Sequence, residues 1–234
     1  MSKPLPTNPE IVIIGAGSSG LSAAKTLQNL GVSYLVIEAS DRIGGRAYTE
    51  SNIIGQPVDH GCSWISGSDD NFFSKLGKIN NFTLVDHTNP KIEMFEKNGE
   101  KFSQEKIKEY NKSEMKIKEI LRETGSRGID IPASKIIPKV PFGECFQNWE
   151  GALNYAVDVD QISTAEYWSI KDTQPSFIVK EGLGSLVATL NDNFPIAFNT
   201  SVLNIDYSGS GVKVFTPKGT ILAKACICTV SIGV

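Results

Sequence analysis

Gly15, Gly17 and Gly20 follow directly on the β-branched run Ile11 to Ile14 and open a helical pattern, spelling GxGxxG where a strand turns into a helix. That context gives each glycine a separate task. Gly15 allows the tight turn, Gly17 lets the backbone approach a pyrophosphate without an intervening side chain, and Gly20 lets the helix pack closely on the strand. The helix that starts near Ser18 and Ser19 would point unpaired N–H groups at phosphate oxygens. Glu38 ends the next strand, where a carboxylate can accept hydrogen bonds from both ribose hydroxyls of an adenosine and disfavours a 2′-phosphate. Shortly after come Arg42, Gly44, Gly45 and Arg46, a second glycine pair flanked by cations. The chemistry these residues suit is capture of an adenine dinucleotide.

The elements that must position them can be read from periodicity. Ile11 to Ile14 and Tyr34 to Ile37 are continuous apolar runs, as expected of buried parallel strands. Between them Leu21, Ala24, Leu27 and Leu30 recur on one helical face, and Gly31 closes the pattern as a C-terminal cap. Strand, helix and strand make a βαβ unit with a right-handed crossover, so the fold class is α/β: a Rossmann-like doubly wound domain. From Gly99 to Gly125 the chain is rich in Lys and Glu, and Ile107, Met115, Ile117, Ile120 and Leu121 predict a solvent-facing helical insertion. Pro132, Pro138 and Pro141 predict a loop over 127–141. Strands are expected at 202–205, 212–216 and 221–230.

Bulk properties bound the function. The 234 residues are 40% hydrophobic and 21% charged, with 23 basic against 26 acidic side chains and a formal charge of -3. Such a chain has no global field to recruit nucleic acid or an anionic membrane. Residues 1–10 read as neither a signal peptide nor an anchor, and no apolar run reaches spanning length. Four irregularly spaced cysteines do not suggest a disulfide scaffold, which makes a reducing cytoplasm the expected location. His60 and His87 are isolated in sequence, so no metal site is expected. Asp158, Asp160 and Glu166 read as surface carboxylates.

The run EASDRIGGRAYT, residues 38–49, resembles the continuation found in the flavin amine oxidases, a family that includes polyamine oxidases, monoamine oxidases and histone lysine demethylases. Further segments keep the family's order. DHGCSWISG at 59–67 is similar to a glycine, small, small, tryptophan motif whose backbone runs near the flavin ring. It places Gly61, Cys62, Ser63 and Trp64 in the cofactor site, as Gly45 and Arg46 are placed by the cofactor's phosphates. Gly182, Gly184 and Leu186 resemble the start of a helix returning to the FAD domain. Val202 matches a residue whose backbone contacts the adenine, and TVSIGV at the end resembles a strand leading onward.

The resemblance implies FAD as cofactor and oxidation of an amine C–N bond to an imine, with hydrogen peroxide formed when oxygen takes the electrons. It implies a first part of the FAD-binding domain at 1–88, a partial α+β substrate-domain insertion at 89–179, and a second, truncated part of the FAD domain at 180–234. Family members continue for a second half that holds the lysine and aromatic residues around the amine, so no catalytic residue is assigned here. Ser66 stands where polyamine oxidases of the family carry His or Glu. The readings that follow are an amine oxidase represented by its N-terminal half, acting on a small-molecule amine with a second chain supplying the remainder, or an inactive or scaffold protein that keeps the dinucleotide-binding fold.

Overall fold

A computed structural model describes residues 8–67, 70–90, 92–170 and 174–234 of the chain. It divides into two compact units, Met1–Thr88 with Thr173–Val234, and Asn89–Asp172. In chain order the first unit opens with β1 (Ile11–Ile14), α1 (Ser18–Asn29), β2 (Tyr34–Ile37), β3 (Thr49–Glu50), β4 (Val58–Asp59), β5 (Trp64–Ser66), α2 (Phe72–Ile79) and β6 (Leu84–Asp86). The second unit contributes α3 (Gln104–Ser126), α4 (Gly143–Asn148), a π-helical segment Trp149–Tyr155, and α5 (Thr164–Ser169). The first unit then resumes with β7 (Ser176–Val179), α6 (Leu183–Ala188), β8 (Ile196–Ala197), β9 (Asn204–Asp206), β10 (Val212–Thr216), β11 (Gly219–Ala223) and β12 (Ala225–Cys228).

The β1, α1, β2 unit falls where periodicity put it, and the reason is burial on both faces. A four-stranded sheet runs β12-β1-β2-β8 with parallel pairing, Ile11 opposite both Ala225 and Tyr34. Alternate side chains take opposite sides. Ile13 and Val36 join Leu21 and Ala24 of α1, while Val12, Ile14, Leu35 and Ile37 meet Val214 of the antiparallel sheet β11-β10-β9. A strand covered twice must be apolar at every position, which is why IVII and YLVI show no alternation. Gly31, with φ +69°, ends α1 in the left-handed region that favours glycine. Leu30, read as part of the helix's apolar face, is instead exposed, because the helix ends at Asn29 and the chain turns before Leu30 can reach the core.

Four other expectations are corrected. The run 221–230 is not one strand. Residues up to Ala223 close the hairpin with β10, Lys224 intervenes with its N–H donated to Glu10 O, and Ala225–Cys228 joins the parallel sheet beside β1. The chain does not end within a strand, since β12 stops at Cys228 and Thr229 to Val234 form no ladder. The first unit resumes before residue 180, because β7 pairs with both β5 and β6. The strand expected at 202–205 forms at Asn204–Asp206.

In the second unit, α3 is amphipathic rather than wholly solvent-facing. Ile117 and Leu121 are buried with Phe146, Ile162 and Tyr167, whereas Met115 is exposed. Ser103 caps α3 by accepting a hydrogen bond from Lys106 N at 3.3 Å. Gly125 lets α3 and α5 touch, since a Cβ there would lie 2.1 Å from Thr164 O. The 127–141 segment is a loop holding one short 3-10 turn, Ala133–Lys135. Asp158 and Asp160 line a small cavity with Glu144, and Glu166 lies in the first turn of α5. Among the described residues no cluster of three His, Cys, Asp or Glu side chains could hold a metal, and no helix is long and apolar enough to cross a membrane.

Candidate dinucleotide site

Beyond the carboxyl ends of β1, β2 and β12 lies a cavity of about 1100 Å³, contained in the first unit. This is where open α/β sheets bind ligands, because the strand ends and helix N-termini converge there. Its wall begins with Gly15, Gly17, Ser18 and Ser19. Gly15 has φ +100°, and a Cβ on it would meet Thr229 Oγ1 at 2.7 Å. Gly17 occupies the N-cap of α1 in an extended conformation and offers no side-chain cap, so the first N–H groups of the helix are left for a ligand. Gly20 does not line the cavity. It lies underneath, where a Cβ would come within 1.9 Å of Gly15 O, so its part is the close helix contact.

The second glycine pair closes over the first. Gly44 N–H donates to Ala16 O at 2.8 Å, and Gly17 and Gly44 form a parallel bridge. Gly44 and Gly45 have φ +99° and +58°, and a Cβ on Gly45 would stand 3.3 Å from Gly17 Cα. Arg42 is turned back onto this loop, donating from Nη1 to Gly45 O at 2.9 Å and lying over the Tyr48 ring at 4.3 Å. Arg46 is exposed at the cavity, and no hydrogen bond or ion pair engages its guanidinium among the described residues. A cation left unpaired beside a row of free N–H groups is a site for an anion.

Glu38 is held more firmly than its sequence position suggests. Its Oε2 accepts from Ala16 N at 2.7 Å, and its Oε1 accepts from Ser40 N at 2.9 Å and Ser40 Oγ at 2.8 Å. Burial works against the charged form, but the Ser40 and Ala16 N–H groups, the Ser40 hydroxyl and the Arg42 charge outweigh it and hold the carboxyl below its usual range. Oε1 has both lone pairs engaged by Ser40, while Oε2 keeps one to offer a ribose hydroxyl.

Gly61, Cys62 and Trp64 line the same cavity farther along. Gly61 is required by contact: a Cβ would fall 1.8 Å from Arg46 O, and Cys62 N–H donates to that same carbonyl at 3.2 Å. Cys62 is pushed up in pKa by burial and by Asp59, so its thiol stays protonated near neutral pH and acts as a small apolar group. Ser63 does not line the cavity; its hydroxyl donates to Gly61 O at 3.3 Å and supports the turn. Trp64 is exposed, with Nε1 donating to His87 Nδ1 at 3.4 Å. Ser66 and Val202 also border the cavity.

Gly182, Gly184 and Leu186 belong to the entry of α6, whose Leu183 and Val187 form an apolar part of the wall. Asp59 fixes it there, accepting from Leu183 N at 3.0 Å and Gly184 N at 3.2 Å. His60, Tyr48, Thr200 and Thr229 also line the cavity, and none of them was given a part in the cofactor site from sequence. Thr229 could have been found by one signal, its place immediately after a parallel strand.

The donor set fits FAD: free helical N–H groups and the Arg46 cation for the phosphates, the Glu38 carboxylate for the ribose, and glycines wherever a side chain would fill the space. Comparison with known proteins agrees. Polyamine oxidase 2 of Arabidopsis thaliana is 28% identical over 97% of this chain and 52% of its own length. Lysine-specific histone demethylase 2 of Homo sapiens is 26% identical over 91% of this chain and 29% of its own length. A solved structure of wild-type putrescine oxidase bound to putrescine superposes with a TM-score of 0.71 at 20% identity, covering 95% of this chain and 58% of that one. The chain thus spans about half the length of the polyamine oxidases it matches. The family model described as flavin containing amine oxidoreductase matches residues 18–135 and 139–234, and the chain belongs to that family, whose cofactor is FAD.

Proposed function

We propose that this chain supplies the cofactor-binding part of an FAD-dependent amine oxidase, acting on the C–N bond of a small-molecule amine. The observation that carries the reading is the convergence of Gly17, Glu38, Arg46 and Gly61 on one cavity at the ends of parallel strands. When bound, FAD supplies acceptance of a hydride from the carbon beside the amine nitrogen, giving an imine, with oxygen as the final acceptor and hydrogen peroxide as product. The chain's own residues bind and orient. The N–H groups of Ser18 and Ser19 with Arg46 hold the pyrophosphate, Glu38 holds the ribose, and Gly61, Cys62 and Trp64 with Leu183 and Val187 line the far end. What supports a cytoplasmic setting is that Cys62, Cys145, Cys226 and Cys228 are all unpaired.

The test is size-exclusion chromatography of the 234-residue chain with FAD, followed by the visible spectrum of the protein peak and a peroxide assay with mono-, di- and polyamines. A flavin band eluting with the chain is the expected result, and none would overturn the reading. Peroxide from the chain alone would remove any need for a second chain supplying further site residues. Retained FAD without peroxide from any amine, with or without the complementing half of a related oxidase, would favour the scaffold alternative.

A further inference from the structure

We propose that Lys218 is a positioning residue for the adenosine end of the site, latching the 198–202 loop, whose Thr200, Ser201 and Val202 line the cavity beside Glu38; the inference rests on the dinucleotide reading above. Lys218 is exposed, outside the cavity, on the two-residue turn between β10 and β11. Nothing about a lysine on a hairpin turn signals a ligand. Its ammonium, however, reaches across to donate to Phe198 O and to Thr200 Oγ1, each at 2.9 Å.

Both ends of this latch are fixed. On the hairpin side, Thr216 Oγ1 donates to Gly219 O at 2.8 Å and accepts from Lys218 N at 3.1 Å, which sets the turn that carries the lysine. On the loop side, Thr200 is 3% exposed and its hydroxyl donates to Phe198 O at 2.8 Å, so the ammonium is the second partner of that oxygen. The loop is then tied to the strand bearing the ribose-binding carboxylate: Thr200 N–H donates to Glu38 O at 2.9 Å, and Asn199 N–H to Ser40 O at 2.8 Å. Asn199 has φ +50°, a conformation that external contacts must hold. Thr200, Ser201 and Val202 follow directly and line the cavity.

Without the ammonium, two carbonyl and hydroxyl acceptors lose their charged donor and the loop samples other arrangements. Affinity falls in proportion to the fraction of time the loop is in place. The pyrophosphate end, built on Gly17, Ser18 and Arg46, shares no hydrogen bond with Lys218, so the loss is confined to ligands that carry an adenosine.

The test titrates ADP and inorganic pyrophosphate separately into the full chain and into Lys218→Met and Lys218→Arg by calorimetry, with ligand-free melting recorded alongside. Lys218→Met is expected to weaken ADP about fivefold, to leave pyrophosphate affinity unchanged and to lower the ligand-free melting temperature through loss of the same loop contacts, and Lys218→Arg to recover most of both. Unchanged ADP affinity in Lys218→Met overturns the latch, as does equal weakening of ADP and pyrophosphate. A parent chain that binds neither probe overturns the proposed function itself, and the latch with it.

Discussion

Replacing Glu38 with glutamine separates two roles that the sequence presents as one. A residue placed only to meet a ribose could be exchanged with little effect on the empty protein. The structure instead has its carboxylate accepting three hydrogen bonds, at 2.7, 2.9 and 2.8 Å, from Ala16 N, Ser40 N and Ser40 Oγ. In glutamine one oxygen becomes an amide NH2, which must face either the Ala16 or the Ser40 N–H, donor against donor. Hydrogen bonds to a charged group contribute about 1.5–3 kcal/mol each when buried. Glu38 is only half-buried, so the expected loss of ligand-free stability is about 1–2 kcal/mol for the set. Loss of the charged ribose acceptor should cost roughly another 1.4 kcal/mol of binding, about tenfold in affinity for ADP or FAD.

The assay is urea unfolding without ligand, paired with ADP titration, on the parent, Glu38→Gln and Ser40→Ala. Ser40→Ala keeps the Ser40 N–H bond but removes the hydroxyl's contacts with Glu38 Oε1, Arg42 O and Arg42 N, and should lower stability by about 1–2 kcal/mol with ADP affinity retained. The pH dependence gives an independent check. The folded carboxyl is held below its ordinary value of 4.5, so its contribution is complete above about pH 4.5 and is lost as the pH falls through the folded value. Glu38→Gln should lack that part of the acid-side slope. Ligand-free stability and acid slope equal to the parent's would refute the reasoning.

Arg46→Ala should weaken FAD by about 1–3 kcal/mol, less at high salt, with ligand-free melting unchanged because among the described residues its guanidinium makes no hydrogen bond or ion pair; a drop in melting temperature would show an internal role. Gly61→Ala should destabilise the first unit by about 1–3 kcal/mol, since the added Cβ overlaps Arg46 O and the loop must move; limited proteolysis would detect the opening, and parent-like resistance would contradict it. Tyr167 has its pKa pushed far up by burial and then by Glu150, so its contribution to stability is present below the ordinary value of 10 and is lost as pH rises beyond it. Ultraviolet titration at pH 11 should find it un-ionised in the folded chain, and ionisation of every tyrosine below that pH while helicity persists would sink the burial argument.

Much of the cofactor end was legible because its determinants are local. The turn at Gly15, the uncapped start of α1, the Gly31 stop and the acidic strand end at Glu38 all lie within one βαβ unit, where backbone sterics and burial on both sheet faces dictate the residue types. Gly61 to Trp64 were placed through resemblance, and their physical reason, contact of Gly61 with Arg46 O, is invisible until the loops meet.

What the sequence by itself determined, then, is the strand, turn, helix and strand that cradle a dinucleotide, and the family to which they belong. The tertiary structure alone decided which partners the later segments take. The apolar residues from Ile221 onward could not tell that their run divides between a hairpin and a parallel edge, because a strand's pattern states that a face is buried and not against what. Nor could they tell that Asp59 holds α6, that Glu38 is braced by Ser40 and Ala16, or that Lys218 reaches Thr200. Those contacts join side chains and backbone across turns and loops, and their energies exist only once the folded backbone has brought the groups within hydrogen-bonding distance.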